Sequence, residues 1–153
     1  MRSRTQWGMN DTASIESLVE LVDTMVHAEL SGTARCFRMA AARLYVVRAD
    51  GEIRLVAEDE NPYDLLVAHP REGTETAAVL VVTGWAAPLA SNGLPTCRPS
   101  EHPARERIRL AIGVDGERIF TLMRRSGDPD DVLTMDERGV GDVPDALETW
   151  WSD

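Results

Sequence analysis

Two Asp-Gly pairs, Asp50-Gly51 and Asp115-Gly116, each stand between arms rich in β-branched and large apolar residues. Glycine reaches positive φ without steric cost and Asp tolerates it better than most residues. Such a pair between alternating arms therefore predicts a two-residue hairpin turn of type I′. The first hairpin runs from Arg43 to Ala57 and the second from Arg105 to Arg125. In the second, a two-residue turn sets Ile108, Leu110 and Ile112 opposite Met123, Thr121 and Ile119 on one apolar face. The opposite face gathers Arg105, Arg107, Arg109, Arg118 and Arg124 beside Phe120 and Leu122, half basic and half apolar.

Between the hairpins, residues 76–85 form a continuous apolar, β-branched run, which predicts a central strand covered on both faces. Ahead of them, Ile15, Leu18, Val19, Val22, Met25, Val26 and Leu30 recur at spacings of three and four and predict an amphipathic helix over 14–30. Asp11 and Ser14 are its candidate N-caps and Ser31-Gly32 its stop. Its Glu16, Glu20, Asp23 and Glu29, with no base among them, predict a strongly negative solvent face. Asn61 as cap and Pro62 at the first helical position favour a short helix over 61–69. A terminal helix is expected over 142–151, with Asp142 as cap and Pro144 in the first turn. Residues 126–141 read as an acidic loop, and 86–103, with Pro88, Pro95, Pro99 and Pro103, as a long connection of the kind that often carries function. A chain of 153 residues suits one core. The expectation is a flexible segment 1–10 followed by a single α+β domain over 11–153. In it an antiparallel sheet of about five strands packs against N-terminal and C-terminal helices.

The chain carries 26 acids against 16 bases, every base an arginine, for a formal charge of −10. The charge is segregated. Segments 33–57 and 104–125, which hold the hairpins, each sum to +3, whereas 11–32 and 58–76 each sum to −5 and 126–153 to −8. The first expectation is internal neutralisation, with acidic helices and loops lying against the Arg-bearing sheet. The alternative is that the Arg face grips a carboxylate-bearing or phosphate-bearing partner. Free nucleic acid is a poor partner for so acidic a chain. No apolar run is long enough to cross a membrane, and the basic start lacks the apolar stretch of a secretory signal, so a cytoplasmic location is expected. Cys36 and Cys97 belong to no metal-binding or redox motif and are expected as reduced thiols in or near the core.

Candidate sites are few. Cys97, Ser100, His102 and Arg105 cluster in the proline-rich connection and could line a pocket beneath it, His102 and Cys97 offering a base and a nucleophile. Asp128, Asp130, Asp131 and Asp136 lack the spacing of a calcium loop, and His27, His69 and His102 are too scattered to predict zinc, so no metal or cofactor is expected. Trp150 and Trp151 project about 100° apart on a helix, so one is expected to anchor it. The other, with Trp7, would mark a surface for a partner or a second copy, the equal alternative being a wide groove that anchors both.

The run Gly84-Trp-Ala-Ala-Pro88 followed by Arg98-Pro-Ser-Glu-His-Pro-Ala-Arg-Glu-Arg-Ile-Arg109 resembles a signature of small uncharacterised actinobacterial proteins over residues 76–125, a likeness that brings no activity with it. At the level of fold, the order of opening helix, antiparallel sheet and closing helix is similar to that of type III secretion chaperones. That resemblance implies a small acidic dimer that holds a protein partner. This chain departs from the pattern where the proline-rich connection stands in place of a middle helix. The function expected is non-catalytic: a chaperone-like binding or adaptor domain, as a homodimer or alone, holding a protein partner. It would do so through Arg105, Arg107, Arg109, Arg118, Arg124 and Phe120, or through Trp150 and Trp151. The alternatives are a small enzyme or ligand-binding protein with its pocket under 86–103, and an acidic mimic of nucleic acid.

Overall fold

The computed structural model describes residues 15–33, 36–37, 41–87, 92, 97–116, 118–135 and 142–152. In chain order the elements are α1 (Ile15–Leu30), β1 (Ala42–Arg48), β2 (Ile53–Asp59), α2 (Pro62–Ala68), β3 (Glu75–Ala86), β4 (Glu106–Val114), β5 (Ile119–Arg125), β6 (Asp128–Met135) and α3 (Asp142–Ser152). A single 3-10 turn, Pro99–Glu101, precedes β4. The strands form one antiparallel sheet in the order β2-β1-β3-β4-β5-β6. The fold is α+β, with six strands where the sequence suggests about five. The extra strand is β6, expected as an acidic loop. It escapes notice because an edge strand with one wet face needs little apolar alternation, and Pro129 is tolerated there.

Both hairpins form where the Asp-Gly pairs place them, but neither centres a type I′ turn on its Asp-Gly pair. That turn needs both central residues at positive φ, and among the described residues only glycines have it. In the first, the Gly51 N–H donates to Arg48 O (2.8 Å) and the Arg48 N–H to Glu52 O (3.1 Å). The result is a three-residue loop ending on Gly51 at φ 85°. In the second, Val114 pairs with Ile119, so four residues make the loop and Asp115 Oδ1 accepts the Arg118 N–H (2.9 Å). This moves the register by two. Ile108 lies opposite Arg125, Leu110 opposite Met123 and Ile112 opposite Thr121. Because side chains alternate with period two, the sorting of residues onto faces is unchanged.

Each face of the sheet has its own core. On one, Ile15, Leu18, Val19, Val22, Val26 and Leu30 of α1 pack on Val79, Val81, Ala111, Phe120 and Leu122. The helix comes close because β4 offers Gly113: a Cβ there would stand 2.3 Å from Val19 Cγ2. On the other face, Leu65 and Leu66 of α2 and Leu147, Trp150 and Trp151 of α3 pack on Leu44, Val46, Leu80, Ile112 and Val114. This explains why β3 is apolar on both sides. α2 starts as its sequence predicts, with Asn61 Oδ1 accepting the N–H groups of Tyr63 (2.8 Å) and Asp64 (3.3 Å). The proposed caps Asp11 and Ser14, and Trp7, Pro88, Pro95 and Asp136, lie outside the described residues.

Both sheet edges are guarded. β2 carries a bulge, since Leu44 pairs with Ala57 and Tyr45 with Leu55, leaving Val56 without a partner in the ladder. β6 carries Pro129 among Asp128, Asp130 and Asp131. Bulges, proline and charge at an edge all oppose the addition of a further strand.

Candidate functional site

The mixed arginine face exists, and α1 covers most of it. Arg109 is fully buried and faces Arg124 directly across the β4–β5 ladder. Asp23 of α1, 2% exposed, sits between them, ion-paired to Arg124 and 3.7 Å from Arg109. Arg109 also donates to Cys36 O (2.8 Å) and to His27 Nδ1 (3.0 Å). An imidazole nitrogen that accepts from a guanidinium carries no proton, so His27 is neutral here. Burial, with Arg124 and Arg109 beside it, holds its pKa below 6.5. At the two ends of the same helix, Glu16 holds Arg118 (2.6 Å) and Glu29 holds Arg43 (2.6 Å), which also reaches Glu58 of β2.

The acids at 16 and 23 on one flank of the apolar stripe and Glu29 on the other thus each clasp an arginine of the sheet or its loop. The expected negative solvent face of α1 is corrected accordingly: Asp23 is core. Phe120 is also buried beneath the helix. Arg109, Arg124 and Phe120 are thus not an open surface. Of the arginines named from sequence, Arg105 and Arg107 remain outside the helix, stacked on Trp85 at 4.8 and 4.1 Å.

The tryptophan pair occupies the other face, and both indoles are 8% exposed. Of the two readings of the pair, anchoring of both is the one that holds: both pack in the core of this face and neither stands out in solvent. Trp150 Nε1–H donates to His69 O (2.9 Å), while Arg71 donates to Trp151 O (2.7 Å) and lies 3.7 Å over the Trp151 ring. The α2–β3 connection is thereby stapled to α3. Within it, Glu75 accepts the N–H groups of Glu72 (2.8 Å) and Gly73 (2.9 Å) and pairs with Arg71 (3.3 Å). Burial pushes the Glu75 carboxyl up, and these donors outweigh it, leaving the pKa below the usual carboxylate value.

This staple holds open a groove of about 560 Å³ between α2 and α3. Trp150 and Leu66 form its floor, Tyr63 and Val67 one wall, and Asp145, Ala146 and Thr149 the other. A second hollow of about 480 Å³ shares Pro70 and Trp150 with it and runs to Leu55 and Val56 on β2. Val67 is 82% exposed, Leu55 43%, Tyr63 40% and Val56 38%, so the exposed large apolar side chains of this region line one track. The sequence offered one hint, Tyr63 and Val67 four apart on a short helix. The opposite wall lies some 80 residues away in the chain and could not be placed.

The proline-rich connection does not assemble the pocket residues. Cys97 and Ser100 are exposed, and His102 Nδ1 accepts the N–H of Ala104 (2.9 Å), a local turn contact. Cys97 is not in the core as expected, whereas Cys36 is half-buried beside α1. Among the described residues no group of His, Cys, Asp or Glu is arranged to hold a metal, and no helix is long and apolar enough to cross a membrane. Comparison with protein-family models, curated proteins and solved structures finds nothing that matches this chain.

Proposed function

We propose that this chain is a non-catalytic protein-binding domain that holds a helical segment of a partner protein in the groove between α2 and α3. The observation that carries this reading is the apolar track from Tyr63 and Val67 across Trp150 to Val56, preformed and open to solvent. Its extent suits a polypeptide better than a compact ligand. The guarded sheet edges argue against capture by strand addition, which leaves helix-in-groove docking as the mode that fits. The two helices that wall the groove carry Asp64, Asp142, Asp145 and Glu148 and no arginine, with Arg71 the one base of its lining, so the complementary segment carries Lys or Arg beside its apolar anchors. The same charge repels a second copy of this chain.

The test uses three synthetic peptides of equal length: an amphipathic Leu/Lys helix, its Leu/Glu counterpart and a Ser/Lys peptide without apolar anchors. Titrations are followed by the amide and indole N–H signals of the isotope-labelled protein. Saturable shifts at Tyr63, Val67 and Trp150 with Leu/Lys alone are expected. Val67→Arg, a change at an exposed position, weakens that binding about tenfold. Shifts spread over every acidic segment and indifferent to Val67→Arg would refute the reading. Light scattering during the titration reports whether two protein copies share the groove, which would replace the partner helix by a homodimer.

A further inference from the structure

Acids outnumber bases in this chain by 26 to 16, so an arginine without a carboxylate partner is an anomaly. Arg43, Arg48, Arg54, Arg71, Arg109, Arg118, Arg124 and Arg125 each have one, none farther than 3.7 Å. Among the described residues the exceptions are Arg98, Arg105 and Arg107. All three belong to one end of the molecule: Arg105 and Arg107 lead into and begin β4, and Arg98 precedes the turn that packs beside β3. There, beyond the cover of α1, Arg107 lies directly across the ladder from Trp85, and both guanidiniums stack on its ring at 4.1 and 4.8 Å. Arg105 spends one N–H on His102 O (3.2 Å), and the Arg107 Nε–H is buried, as are those of Arg48, Arg109, Arg124 and Arg125, so the terminal N–H groups are the ones an anion would meet.

Stacking fixes the plane of a guanidinium while leaving its N–H edge available, which is the geometry that recognises a planar or tetrahedral oxyanion. We propose that Arg105 and Arg107, held on Trp85, form an anion site for a phosphate monoester. Two guanidiniums held on one indole match a group that carries about −1.5 to −2 charge at neutral pH. An extended run of carboxylates is a worse fit. Beyond a few ångströms it would meet a chain of net charge −10, within the roughly 8 Å over which charges act at physiological salt. This site lies on the sheet face opposite the α2–α3 groove and stands independently of it.

The experiment follows the Trp85 indole N–H, identified by its loss in Trp85→Phe, during titration at constant ionic strength. The probes are inorganic phosphate, O-phosphoserine, AMP and glutarate. A saturable shift with the phosphates and a weaker one with glutarate is expected, and the tighter of O-phosphoserine and AMP tells a phosphorylated side chain from a nucleotide. Replacing both arginines by alanine (R105A/R107A) weakens the phosphates about tenfold or more, and replacing both by lysine only partly restores binding. The lysine variant keeps the test alive if the alanine variant fails to fold. Linear, non-saturating shifts with every probe, glutarate binding as tightly as the phosphates, or full affinity in R105A/R107A would overturn the assignment.

Discussion

Substituting Asp23 by alanine should be among the most damaging single changes in this protein. The carboxylate is 2% exposed and, among the described residues, is the anion that pairs with both Arg109 and Arg124, themselves 0% and 7% exposed, while His27 beside them is neutral. With Asp23 the cluster has two cations and one anion. Without it, two like charges face each other across the ladder in a medium that solvates them poorly. Removing one partner of a buried ion pair costs about 3–5 kcal/mol. Against a total stability of about 5–15 kcal/mol for a domain, that is a large share. For a chain of this size it corresponds to a fall in Tm of about 6–20 °C. Guanidinium chloride unfolding followed by far-UV circular dichroism measures the change, and the midpoint should drop without a change in slope. Replacing all three side chains together, D23L/R109M/R124L, should recover most of the loss, because well-packed apolar groups need no solvation. A loss below about 1 kcal/mol for Asp23→Ala would mean that water reaches the cluster, and the idea of α1 as a charge clamp would fail.

Other expectations follow from the same packing. The folded-state pKa of His27 lies below 6.5, so as pH falls through 6.5 the unfolded chain takes up the proton first. The stability due to neutral His27 is complete above that value and is lost as pH drops toward the folded pKa. Unfolding midpoints between pH 5 and 8 should therefore fall more steeply in the parent than in His27→Gln, and parallel curves would contradict the neutral imidazole. Gly113→Ala puts a methyl against Val19 and Ile15 and should cost about 1–3 kcal/mol by thermal melting, since α1 must lift from β4. Arg71→Ala removes the contacts to Trp151 O, the Trp151 ring and Glu75, and should speed amide hydrogen exchange over 69–75 while leaving β4 and β5 unchanged.

The repeating patterns in the sequence carried the fold where one element's own period decides its burial. The stripe of α1, the double-sided β3 and the two hairpins are of that kind, and so is the cap of α2. Asp23 was legible in principle: it lies four residues after Val19 and three before Val26, inside the apolar stripe. An acid in that position asks for a buried cation, and the arginines of β4 and β5 were already in view. β6 was hidden because proline and aspartates suit an edge strand and a loop alike. The four-residue loop at Asp115 could not be told from a two-residue one, as both place Gly116 at positive φ. The groove was out of reach for a different reason. Its walls come from segments about 80 residues apart, and no local pattern records which distant surfaces will meet.

That long separation has a consequence for how the protein is made. Neighbouring strands β3 to β6 and the β1–β2 pair can form from contacts close along the chain, whereas α3 meets α2 only after everything between them has been synthesised and arranged. A nascent chain synthesised only as far as β6 has Tyr63 and Val67 but no opposite wall. Whatever the groove receives, it receives only after α3 has docked beside α2, so occupancy doubles as a report that these two distant segments have met.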